Sequence, residues 1–81
     1  MAVELILISR GYCHLCHDME VAILPLVSEF GVSLRVLDVD ADPALEARYD
    51  ELVPVLLHDD TELCHYFLDE AKVREYLAGI R

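Results

Sequence analysis

Basic side chains are scarce in this chain: six Lys and Arg stand against sixteen Asp and Glu, a formal net charge of -10 at pH 7. That imbalance weighs against binding nucleic acid or acidic lipid through a basic patch, since such binding runs on neutralisation of phosphates by Lys and Arg. Repeats, low-complexity tracts and Gly/Ser linkers are also missing, and each polar cluster is only long enough for a turn. With 81 residues, 56% of them hydrophobic, the expectation is one domain, 1–81, with one core and a small stability margin. A monomer is expected.

The opening "MAVELILISRG" has Glu4 inside its apolar run, no basic residue before it and no small-residue cleavage site, so it does not read as a secretory signal. It is also too short to span a bilayer. A cytoplasmic location away from membranes follows as the expectation. Three cysteines in a reducing compartment then point to catalysis or metal rather than to a structural disulfide framework.

Periodicity orders the elements. "VELILIS" (3–9) is a short Val/Ile-rich run ahead of Gly11 and predicts a strand buried on both faces. From His14 to Phe30, Leu15, Met19, Ile23, Leu26 and Phe30 recur every three or four residues, with Gly31 as the cap; Pro25 should kink this helix. "VSLRVLDVD" (32–40) predicts a second strand, and Asp42 caps a short helix whose first residue is Pro43. "PVLLH" (54–58) and "ELCHYF" (62–67), joined by "DDT", predict a hairpin. Asp69 then caps a helix with Val73, Tyr76, Leu77 and Ile80 on one stripe. The order β-α-β-α-β-β-α predicts a parallel crossover followed by an antiparallel hairpin: an α/β fold with a four-stranded mixed sheet and helices on its faces. Pro54, opening the third strand, is a candidate for a cis peptide.

The stretch "YCHLCH" (12–17) admits three chemistries: a redox pair, metal ligands or a haem attachment. A helix starting near Cys13 places that sulfur where free amide donors and the helix dipole favour a thiolate. Cys16 lies nearly one turn on, close enough to expel a substrate thiol from a mixed disulfide on Cys13. Asp18 and Glu20 oppose the thiolate by like charge. His14 and His17 are candidate tuning groups, although a solvated histidine is the simpler reading of His17.

For zinc, Cys13, Cys16, His17, Cys64 and His65 are the available ligands, but adjacent strand residues such as Cys64 and His65 point to opposite faces. Cys64 reads more simply as a small core residue, and His58 as surface. Haem attachment belongs to an exported protein and needs a second axial ligand; Met19 shares the motif's own helix and cannot reach the opposite face.

Several separate segments resemble the glutaredoxins and glutaredoxin-like members of the thioredoxin superfamily, over essentially the whole chain. "SRGYCHLC" resembles their pattern of Ser, a basic residue, two further residues and Cys-x-x-Cys. "LVP" resembles the Thr-Val-Pro whose proline is cis in that family. The resemblance implies a minimal thioredoxin fold and a thiol-disulfide oxidoreductase needing no metal or organic cofactor. It makes Cys13 the attacking thiol, Cys16 the resolving thiol and Pro54 the cis residue facing them. Val53 would offer backbone groups to a protein or low-molecular-weight disulfide, Arg10 would favour the thiolate and meet a substrate carboxylate, and Tyr12 would wall the groove. Two departures stand out. The family's Gly-Gly before the last helix is replaced within "CHYFLDE", which leaves glutathione open as a partner, and His14-Leu15 replaces the usual Pro-Tyr. The alternative function is a non-catalytic module of the same fold that binds metal, as zinc or iron-sulfur, or an extended peptide.

Overall fold

The computed structural model describes residues 3–11 and 13–80. Four strands, β1 (Glu4–Ser9), β2 (Ser33–Asp38), β3 (Val55–His58) and β4 (Thr61–His65), form one sheet in the order β2-β1-β3-β4. β1 runs parallel to β2 and antiparallel to β3, and β3 and β4 are antiparallel. The helices are α1 (His14–Phe30), α2 (Pro43–Tyr49) and α3 (Glu70–Ile80), and a 3-10 turn, Val39–Ala41, follows β2. The architecture is the expected α/β one, with two strands shorter than their apolar runs suggest. β2 ends at Asp38, whose side chain accepts the Asp40 amide at 2.9 Å and starts the 3-10 turn. β4 ends at His65 because Tyr66 turns to φ 65°, a left-handed conformation that breaks the pleat.

Alternation along β1 separates two apolar layers. Leu5 and Leu7 face Met19, Ile23 and Leu26 of α1 and Val73 and Leu77 of α3. Ile6 and Ile8 turn to the other side, among Val39, Leu45 and Tyr49, which brings α2 against that face. The central position of β1 is why its run is apolar on both faces. A register shift between Leu56 and Leu57 makes a bulge against β4.

The helix ends carry the devices their residues suggest. Gly31 closes α1 at φ 64°, and the Val32 amide reaches the Val27 carbonyl at 3.1 Å. Asp42 accepts the Ala44 amide at 2.9 Å, and Asp69 the Lys72 amide at 3.1 Å. α1 continues through Pro25, where the Val21 carbonyl loses its in-helix donor. Both residues are exposed, so water can serve that carbonyl. Among the described residues, no helix is long and apolar enough to cross a membrane.

Candidate active site

β1 ends at Ser9 and delivers the chain, through Arg10 and Gly11, to the start of α1. Cys13 is the N-cap of that helix, with extended backbone at φ -106°, ψ 117°. Its amide donates to the Arg10 carbonyl at 3.2 Å, and its own carbonyl receives the His17 amide at 3.1 Å. Its sulfur performs the capping: Sγ accepts the Cys16 amide at 3.1 Å. A cysteine thus takes the place usually held by Ser, Thr, Asp or Asn, and an otherwise unpaired helix donor points at its sulfur.

The two sulfurs are unequal. Cys13 is half-buried, whereas Cys16 is 2% exposed. Burial, followed by the hydrogen bond with Cys13, pushes the Cys16 thiol up to about 11. Cys16 packs in the second apolar layer with Ile8, Val53 and Val55, and Cys13 lies against the same group. The Val53-Pro54 peptide is cis and leads directly into β3. Cys13, Cys16 and Val53 therefore meet in one cluster. All three cysteines are free thiols.

Other sequence candidates fall elsewhere. His14 and His17 are exposed on the first turn of α1. Tyr12 lies outside the described residues. Arg10, expected to face a substrate carboxylate, is instead bound by two of the protein's own: Nε and Nη2 donate to Asp40 at 3.0 and 3.1 Å, and Nη2 also contacts Asp50. Cys64 is half-buried at the edge of the first layer, and burial raises its thiol as well. His58 is not simply a surface residue; it is part-buried, with Nδ1 2.6 Å from the Tyr76 hydroxyl oxygen. His65 lies 3.0 Å from Glu62.

Among the described residues, Cys13, Cys16, His17, Cys64 and His65 supply no trio placed for one metal ion; the acidic trio Asp40, Glu46 and Asp50 is what the geometry gathers. Sequence reasoning also missed how Tyr66 is held. Its amide donates to the Pro54 carbonyl at 2.8 Å and its hydroxyl to the Glu51 carbonyl at 2.7 Å, so it straddles the cis segment and the end of α2. Its hydroxyl marks no long-range partner in the sequence. Beside it, Leu15, Asp18, Met19, Ala22, Phe67 and Leu68 line a shallow groove.

Comparison with known proteins gives the family and the fold. The family model of a glutaredoxin-like domain (DUF836) matches residues 4–78. An uncharacterized protein of Mycobacterium tuberculosis is 30% identical over 77 residues, which cover 89% of this chain and 79% of that protein. The solution structure of a protein from Nitrosomonas europaea superposes with a TM-score of 0.84 at 35% identity, covering 94% of this chain and 92% of that one. The glutaredoxin-like NrdH-redoxin of Escherichia coli, at 21% identity and a TM-score of 0.60 over 88% of this chain and 92% of its own, shares the fold. This chain belongs to the glutaredoxin-like domain family and has the fold of the thioredoxin superfamily.

Proposed function

We propose that this protein is a thiol-disulfide oxidoreductase that exchanges the Cys13-Cys16 dithiol with a protein or low-molecular-weight disulfide. Membership of a glutaredoxin-like family supports a redox-type role in general. The observation that carries the finer reading is the Cys13 sulfur, which caps α1 and accepts the Cys16 amide while Cys16 stays buried. The helix start thus presents the Cys13 sulfur at the mouth of the pair, while burial raises the Cys16 thiol and keeps it protonated until it is needed.

The Cys13 thiolate attacks one sulfur of the substrate disulfide; a Cys13-S–S-R bond forms and the first substrate thiolate leaves. Cys16 then gives up its proton to solvent or to that leaving thiolate and attacks the Cys13 sulfur. The mixed disulfide breaks, the second substrate thiolate departs, and a Cys13-Cys16 disulfide remains. Two electrons pass from the protein to the substrate, and the chemistry requires no bound metal or organic cofactor. Val53, which packs in one apolar cluster with Cys13 and Cys16 just before the cis Pro54, supplies a wall against which the mixed disulfide would sit.

Trapping tests this reading. Cys16→Ser, treated with hydroxyethyl disulfide, should accumulate a stable mixed disulfide on Cys13, whereas Cys13→Ser should form none there and transfer no electrons. Equal trapping by both variants would overturn the assignment of roles.

A further inference from the structure

Arg10 combines two functions in one residue. Its main-chain carbonyl receives the Cys13 amide, so it helps hold the dithiol loop. Its side chain meanwhile lies in a bidentate pair with Asp40 and reaches Asp50 as well. Asp40 comes from the 3-10 turn after β2 and Asp50 is the C-cap of α2, so three separate segments meet at one guanidinium. Glu46 adds a third carboxylate, with oxygens of Asp40, Glu46 and Asp50 all within 4.8 Å of one another. The trio has the outline of a cation site, but Arg10 already occupies two of its members.

Among these four side chains one cation therefore stands against three carboxylates, and Arg48 of α2 lines the pocket beside Glu46 and Asp50. The Nε–Nη2 edge of the guanidinium that would receive a substrate carboxylate is taken by internal carboxylates, held at the side chain of a residue in the loop that leads to Cys13. Anions approaching the dithiol meet a repulsive field, while cations meet an attractive one.

We infer that Asp40 and Asp50 are specificity-determining residues: by holding Arg10 they make the dithiol discriminate against anionic low-molecular-weight disulfides and favour neutral and cationic ones. The inference rests on the oxidoreductase reading above. It also assigns Arg10 to positioning the loop rather than to binding substrate.

The test is the rate at which the reduced protein is oxidised in a single turnover by three probes: glutathione disulfide (anionic), hydroxyethyl disulfide (neutral) and cystamine (cationic). No second reductant enters, because each probe takes the two electrons of the dithiol. Asp40→Asn combined with Asp50→Asn should raise the rate ratio of glutathione disulfide to hydroxyethyl disulfide by about tenfold and lower the cystamine ratio. Adding Arg10→Gln should remove most of that gain. Ratios taken within one preparation cancel the protein concentration, the folded fraction is isolated by gel filtration beforehand, and Asp50→Asn alone serves if the pair of changes prevents folding. Oxidation by hydroxyethyl disulfide with unchanged ratios would overturn the inference and leave the oxidoreductase standing. Failure of every probe, with the unsubstituted protein included, would remove both.

Discussion

The Cys16 amide reaches the Cys13 sulfur across 3.1 Å, so the backbone of one cysteine polarises the side chain of the other. The pairing follows from the N-cap position of Cys13, because the first-turn amides have no carbonyl within the helix to meet. The same geometry turns the Cys16 side chain inward among Ile8, Val53 and Val55. One helix start therefore makes one accessible sulfur and one sheltered sulfur out of identical residues.

Alkylation should expose that inequality. In the reduced native protein at about pH 8, iodoacetamide is expected to modify half-buried Cys13 well before Cys16, whose thiol is buried and held protonated. Native labelling of Cys16 should then climb about tenfold per pH unit toward its pKa of about 11. Peptide mass mapping after timed quenching gives both rates.

Stability should fall at alkaline pH for the same reason. Cys16 holds its proton more tightly folded, at about 11, than at its ordinary value of 9.0. Between those two values the unfolded chain binds fewer protons than the folded one, so unfolding becomes easier as pH rises. The contribution is fully present below 9.0 and gone once pH passes about 11. Urea midpoints of the reduced protein should drop across that window, and the drop should be smaller in Cys16→Ala.

Packing makes a contrast within the helices. Leu77 is fully buried between α3 and the sheet, and Leu77→Ala should cost about 2–5 kcal/mol through lost transfer energy and the cavity left behind. Leu24, 52% exposed on α1, should change stability by no more than about 0.5 kcal/mol on the same replacement. Urea denaturation of the two variants separates them.

Tyr66 should report the seam between the cis segment and α2. Tyr66→Phe keeps the ring and deletes the hydroxyl bond to the Glu51 carbonyl, for an expected loss of about 0.5–1.5 kcal/mol. Tyr66 is partly exposed and water can replace the bond, so the lower end of that range is expected.

Local signals in the sequence carried most of the architecture. The apolar run of β1, the spacing from Met19 to Leu26, and the caps at Asp42, Asp69 and Gly31 each act within a few residues of themselves. The dithiol was legible for the same reason, because Cys13 and Cys16 lie within one helical turn. What stayed hidden depends on distance along the chain. The carboxylates that hold Arg10 stand thirty and forty residues away, and no pattern near Arg10 marks them. Tyr66 looked like strand because its flanking residues are apolar or aromatic; the φ of 65° that ends β4 accompanies hydrogen bonds to Pro54 and Glu51. His58 looked like surface because an acidic turn follows it, while its partner Tyr76 comes from α3.

The most direct test of the redox account is the midpoint potential of the Cys13-Cys16 couple, measured by equilibration with glutathione and dithiothreitol buffers. Thiol-specific mass shift on a Cys64→Ser background reads the Cys13 and Cys16 sulfurs alone. The account predicts a reversible two-electron transition in the thioredoxin to glutaredoxin range, about -270 to -200 mV. A pair that forms no intramolecular disulfide at any poise would contradict it and leave a thioredoxin-fold binding module in its place.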